Sequence, residues 1–129
     1  MGNTRVILIA DPNPYVRSFL SRELRVAGYQ TVEAGACKEI FSHLNGEIPP
    51  VLVILELDFP IVTGINVLQR IQNCATPIPH IVYTHLTEYE NHPAVQKAAA
   101  FVEKNDDPDE LFHAINAVMD RHQSKQQTR

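Results

Sequence analysis

The chain has 129 residues, 44% of them hydrophobic and 20% charged, which is the size and balance of one globular domain. Its 11 Lys and Arg against 15 Asp and Glu give a formal net charge of −4. That argues against a free-standing nucleic-acid binder, which needs a cationic surface. No apolar run approaches the roughly 20 residues that cross a bilayer, so no membrane span is expected.

The run Arg5-Val-Ile-Leu-Ile-Ala10 is apolar and branched, as in a strand buried on both faces of a parallel sheet. Asp11-Pro-Asn-Pro14 stops it. Asn13 can cap the next helix with Pro14 at its first position. Val16, Phe19, Leu20, Leu24 and Ala27 then recur at helical spacing, and Gly28 closes the helix in the left-handed conformation. Tyr29–Glu33 reads as a short strand. Cys37, Ile40, Phe41 and Leu44 form the apolar face of a second helix, which ends near Asn45-Gly46.

Pro49-Pro50 forces an extended entry into the strand Val51–Leu55, and Gly64 opens a third helix carrying Ile65, Leu68 and Ile71. His80–Thr84 is the fourth strand. After a polar loop, Pro93 starts a short helix expected to run through Ala100, and Phe101–Lys104 is the fifth strand. Asp107-Pro-Asp-Glu110 carries a capping box and opens a last helix with Leu111, Phe112, Ile115, Val118 and Met119 on one face. From Asp120 the sequence is polar. The domain is expected over 1–122, with 123–129 as a polar tail or the start of a linker.

Strand and helix thus alternate five times. That order implies an α/β fold, a five-stranded parallel sheet with helices on both faces in three layers. Such folds carry their chemistry at the C-terminal ends of the strands. The residues there are Asp11, Pro12, Asn13, Glu56, Asp58, Thr84, His85, Lys104 and Asn105. Two carboxylates after buried strands can hold a hard divalent cation, while a lysine and a threonine can bind phosphoryl oxygens.

Cys37 and Cys74 form no CxxC pair, so a disulfide scaffold or zinc module is not expected, and a reducing cytoplasm is the simplest location. Met1–Val6 has neither signal-peptide nor myristoylation character. The histidines show no helical ligand pair. No Walker loop or GxGxxG occurs, and the segment after the first strand lacks a flavodoxin-type phosphate loop. A small phosphotransfer enzyme using a strand-end carboxylate is the competing catalytic reading, although an Asp-x-Asp nucleophile motif is missed because position 56 is Glu.

From about Arg5 to Met119 the chain resembles a response-regulator receiver domain of the CheY-like, flavodoxin-type fold. The resemblance rests on Val6-Ile-Leu-Ile-Ala-Asp11, Asn13-Pro14 with Arg17, Val53-Ile-Leu-Glu56-Leu-Asp58-Phe-Pro60, Gly64, Pro79 through Thr84, and Phe101-Val-Glu-Lys104. It implies a two-component signalling role without enzymatic activity. The implied partners are a histidine kinase or an output protein or domain, with a homodimer surface on the fourth helix, fifth strand and fifth helix. It also implies Mg²⁺ bound by Asp11 and by the residue at position 56, a phospho-acceptor at Glu56, phosphoryl contacts from Thr84 and Lys104, and Phe101 as a switch aromatic; Asp58, where the family varies freely, is a substitute ligand or acceptor set against a plain loop acid.

The departures from the family pattern carry the reading further. Pro12 stands in place of the second metal-binding acid, and Glu56 in place of the acceptor aspartate. The extra methylene moves the nucleophilic oxygen by about 1.5 Å, and a displacement of ~1 Å can cost on the order of 10²-fold in rate. Asn105 replaces a proline that usually follows the lysine. His85 replaces a small residue and would crowd the approach to Glu56. The expectation is an atypical receiver, or pseudo-receiver, not switched by ordinary aspartyl phosphorylation. Glu56 reaching Lys104 by itself would mimic the active state, and the equal alternative is a buried ion pair with no signalling consequence. The alternative is a working phospho-receiver using Glu56 or Asp58 with Mg²⁺.

Overall fold

Val6–Ala10 forms β1, buried along its whole length as an unbroken apolar run requires. In the computed structural model, residues 5–60, 63–74 and 76–127 are described, 122–127 as backbone only. The chain continues through α1 (Pro14–Val26), β2 (Gln30–Ala34), α2 (Cys37–Leu44), β3 (Leu52–Leu55), α3 (Gly64–Gln72), β4 (His80–Thr84), α4 (Pro93–Gln96), β5 (Ala100–Glu103) and α5 (Asp109–Gln127). A 3-10 turn at Thr87–Tyr89 lies in the polar loop before α4.

Local chemistry sets the ends of the elements. The Asn13 side chain accepts from the Tyr15 amide with Pro14 at the head of α1. Gly28 follows α1 at φ +100°, a conformation that disfavours a side chain. The Asp107 carboxylate accepts from the Asp109 amide at 2.9 Å and caps α5, but the expected capping box does not close, because the Asp107 amide donates to Asn105 Oδ1 at 2.8 Å instead of to Glu110.

The strands form one parallel sheet in the order β2-β1-β3-β4-β5. Alternate residues serve opposite faces, as a period of two dictates. Leu8, Val53, Leu55 and Val82 pack with Ile40, Val67, Leu68, Ile71 and Val95 beneath α2, α3 and α4. Ile7, Ile9, Ile54, Ile81 and Val102 pack with Leu20, Leu24, Leu111, Ile115 and Met119 beneath α1 and α5. The strand order reverses between β1 and β3, which opens a crevice at their C-terminal ends.

Two elements differ from the sequence expectation. The helix starting at Pro93 stops at Gln96 instead of running through Ala100. The Ala99 amide donates to the His80 carbonyl at 2.9 Å, and Ala100 already pairs with Ile81, so the sheet takes these alanines. The polar stretch from Asp120 is the continuation of α5 as far as Gln127. Among the described residues, no helix is long and apolar enough to cross a membrane.

Gly64 shows how tightly the β3–α3 connection is built. A Cβ there would lie 2.3 Å from the Leu57 Cα and 2.5 Å from its carbonyl oxygen, while the Gly64 amide donates to that oxygen at 2.9 Å. Gly64→Ala is therefore expected to lower the unfolding free energy by about 1–3 kcal/mol, the usual range for forced overpacking, as read by urea denaturation. The connection it distorts is the one that carries Glu56 and Asp58.

Candidate functional site

The ladder continues one residue beyond three of the strands. The Asp11 amide donates to the Ala34 carbonyl, the Glu56 amide to Ala10 and the Lys104 amide to Thr84, each at 2.9 Å. These bonds fix Asp11 and Glu56 on neighbouring strands and Lys104 across Thr84 from Glu56, all at the C-terminal edge. Asp11 and Glu56 are each 4% exposed, and Thr84 is fully buried.

Their side chains meet in one network. The Lys104 ammonium donates to Asp11 Oδ2 at 2.7 Å and to Glu56 Oε1 at 2.5 Å. The other oxygen of Asp11 accepts from the Asn13 amide at 2.8 Å. Glu56 Oε2 accepts from the amides of Leu57 at 2.7 Å and Asp58 at 3.0 Å, and from the Thr84 hydroxyl. Thr84 Oγ1 in turn accepts from the Leu86 amide at 3.1 Å. Among the described residues, no buried side-chain nitrogen or oxygen lacks a partner. A buried carboxylate is tolerated only under such conditions.

Electrostatics follows from this packing. Burial pulls the Glu56 carboxyl upward, but the hydrogen bonds from Lys104, Thr84 and the Asp58 amide, with the Lys104 charge, hold it below its ordinary value of 4.5. Burial likewise disfavours the charged Lys104, yet its bonds to Asp11 and Glu56 raise it above 10.5. Tyr83 lies beneath the ammonium, whose nitrogen is 5.6 Å from the ring centroid.

The pH dependence has a definite sign. Glu56 binds its proton less tightly in the folded state, so its contribution is present above pH 4.5 and is lost as pH falls through the folded value. Lys104 behaves oppositely, contributing below pH 10.5 and losing that contribution as pH rises through its folded value. The urea midpoint is expected to fall on both sides of this window. Glu56→Gln is expected to flatten the acid limb.

The strand-end residues divide into two groups. Asp11, Glu56, Thr84 and Lys104 converge. The Asp58 side chain is exposed, and only its amide joins the network. His85 is exposed too, and none of the hydrogen bonds to Glu56 comes from it, so the expected crowding is not seen. Phe101 is half-buried against the core beneath α4. His80 and His92 serve structure. His80 bonds Gln72 and the Ile78 carbonyl at 3.0 Å each, and His92 caps α4.

Arg17 has a place that the sequence reading left unassigned. Its Nη1 donates to the Asp11 carbonyl at 2.7 Å, and its Nε pairs with Glu33 at 3.2 Å. It thereby ties α1 to the ends of β1 and β2. A Cβ on Gly35 would come within 2.7 Å of that guanidinium. A basic residue on the first turn of α1 and an acid near the end of β2 were the available signals.

The donor set does not fit a magnesium ion. Mg²⁺ is held by one or two carboxylates with water completing its octahedron, but Pro12 offers no side-chain oxygen, the Asp58 carboxylate lies outside the network, and no group of three or more His, Cys, Asp or Glu that could hold a metal occurs among the described residues. Asp11 and Glu56 are already bridged by an ammonium, which would repel a second cation.

Known proteins resemble this chain over most of its length. The transcriptional regulatory protein PhoP of Escherichia coli (strain K12) is 26% identical over 117 residues, which cover 89% of this chain and 52% of PhoP. The chain therefore spans about half the length of that relative. The response regulator TrrA of Thermotoga maritima, solved in complex with Mg²⁺-BeF, superposes with a TM-score of 0.81 at 25% identity, covering 88% of this chain and 98% of that one. TrrA in complex with the histidine kinase ThkA matches with a TM-score of 0.78 at 25% identity, over 88% and 97% of the two chains. A CheY-like receiver domain of Methanospirillum hungatei shares the fold, with a TM-score of 0.86 at 20% identity over 95% and 99%. The model of the response regulator receiver domain matches residues 7–116, and the chain belongs to that family of two-component receiver domains.

Proposed function

We propose that this domain is a pseudo-receiver. Its phosphoryl site is filled by its own Glu56 carboxylate, and it signals through protein partners without ordinary aspartyl phosphorylation and without enzymatic activity. The observation that carries the reading is the simultaneous contact of Glu56 with Thr84, Lys104 and two backbone amides. A phosphoryl group needs the same hydroxyl and ammonium. Here both already serve a carboxylate, and no second acid stands at position 12 to bring a metal. Because Glu56 engages Thr84 and Lys104 permanently, the domain holds one signalling conformation, with Phe101 packed towards the core beneath α4.

The complex of the similar TrrA with a histidine kinase supports a protein partner for this chain. The expected location is the cytoplasm. The face of α4, β5 and α5 is the surface for an output partner.

Intact-mass analysis after incubation with acetyl phosphate and Mg²⁺ tests the proposal. The wild-type protein is expected to gain no phosphoryl group, and Pro12→Asp/Glu56→Asp to gain one. Phosphoryl transfer to the wild type, at Glu56 or Asp58, would overturn it in favour of a working phospho-receiver.

A further inference from the structure

Helix α1 carries an apolar stripe on the side away from the sheet. Tyr15 and Val26 are each 83% exposed and Phe19 is 37% exposed, whereas Leu20, Ser21 and Leu24 on the opposite side are buried. The Arg22 side chain is 71% exposed, and its guanidinium lies 5.8 Å from the Phe19 ring centroid. Residues 15, 19, 22 and 26 follow the i, i+4, i+7, i+11 spacing of one helical face. Three of the four exposed large hydrophobic residues of the described chain lie on this stripe, and none lies on α4, β5 or α5.

The stripe is symmetric about its own centre. Positions 15 and 26, and positions 19 and 22, share a midpoint between Leu20 and Ser21. A two-fold axis at that midpoint places Tyr15 against the partner's Val26 and Phe19 against the partner's Arg22. Each guanidinium then meets an aromatic ring on both sides, a favourable contact for a cation. A parallel pairing would instead set Arg22 against Arg22. The antiparallel arrangement also brings each helix N-terminus beside the other's C-terminus, which suits the two dipoles.

We propose that α1 is an isologous, antiparallel homodimer interface built on Tyr15, Phe19, Arg22 and Val26. Its occupant is a second copy of this chain, because the register that pairs ring with cation and apolar with apolar is generated by the helix's own two-fold relation. The four side chains offer about 1,000 Å² of buried surface over both protomers, at the threshold of a specific interface and in the range of transient ones. The inference does not depend on the state of Glu56.

Sedimentation equilibrium of the full chain from about 10 μM to about 1 mM tests it, a range suited to a small interface. The wild type is expected to shift from monomer towards dimer across that range. Tyr15→Glu and Val26→Lys are each expected to weaken association by at least about 10-fold. Both positions are exposed, and unchanged circular dichroism would verify the fold. Combining the two substitutions is expected to restore the dimer, because the antiparallel register sets the new charges opposite one another. A monomer throughout the range would overturn the proposal and leave the stripe to a different protein. A dimer indifferent to the single substitutions would place association on another face. Failure of the double variant to recover would exclude the antiparallel register.

Discussion

Lys104→Met is expected to lower the unfolding free energy by about 3–5 kcal/mol, the range for removing one partner from a buried ionic cluster. The lysine side chain is 10% exposed, and the carboxylates it bridges are 5% exposed. Without the ammonium, two adjacent buried acids share the site with no counter-charge. Like charges raise a carboxyl pKa, so one of the pair is expected to hold a proton more tightly in the folded than in the unfolded state. The variant should then become more stable as pH falls through that raised value, opposite to the acid limb of the wild type. Urea unfolding at neutral and mildly acid pH reads both the loss and the reversal. A loss under about 1 kcal/mol, as for an exposed pair, would show that the cluster is solvated.

Glu56→Gln is expected to cost less, about 2–3 kcal/mol, in the range of hydrogen bonds to a charged group. Four donors converge on this carboxylate. An amide has a single acceptor oxygen. With that oxygen kept on the Leu57, Asp58 and Thr84 side, its NH₂ group faces the Lys104 ammonium and two donors oppose each other. The loss is moderated because Lys104 retains Asp11 at 2.7 Å, so the remaining charges balance. The order of the two variants is the sharper expectation. Removing the cation leaves two anions together, whereas neutralising Glu56 leaves a pair. Equal losses in urea unfolding would contradict that account.

Much of this arrangement was legible in the sequence. Buried parallel strands read as continuous apolar runs, and Val6–Ala10, Leu52–Leu55 and His80–Thr84 are found within one residue of the expected bounds. Helix starts were written in capping chemistry at Asn13 and Asp107. The strand-end rule brought Asp11, Glu56, Thr84 and Lys104 to notice because topology alone puts them on one edge. What sequence could not supply was direction. Asp58 and His85 sit as close to strand ends as Glu56 and Thr84, yet their side chains face solvent. The alanines after Gln96 have strong helical propensity, and ladder pairing with β4 overrides it. The contact of Arg17 with the Asp11 carbonyl and Glu33 depends on the docking angle of α1, which no local pattern encodes.

Backbone amide NMR of the wild-type protein, titrated with Mg²⁺ and then beryllofluoride, tests most directly whether Glu56 already occupies the phosphoryl site. Three donors meet its Oε2 and Lys104 joins its Oε1 to Asp11, so under the pseudo-receiver proposal neither the metal nor the phosphoryl analogue finds a seat. The expected result is no saturable shift at Asp11, Glu56, Thr84 or Lys104, with specific shifts appearing in Pro12→Asp/Glu56→Asp. Saturable shifts at those four residues in the wild type would contradict the account and identify the domain as a phospho-switch with a glutamate at its acceptor position.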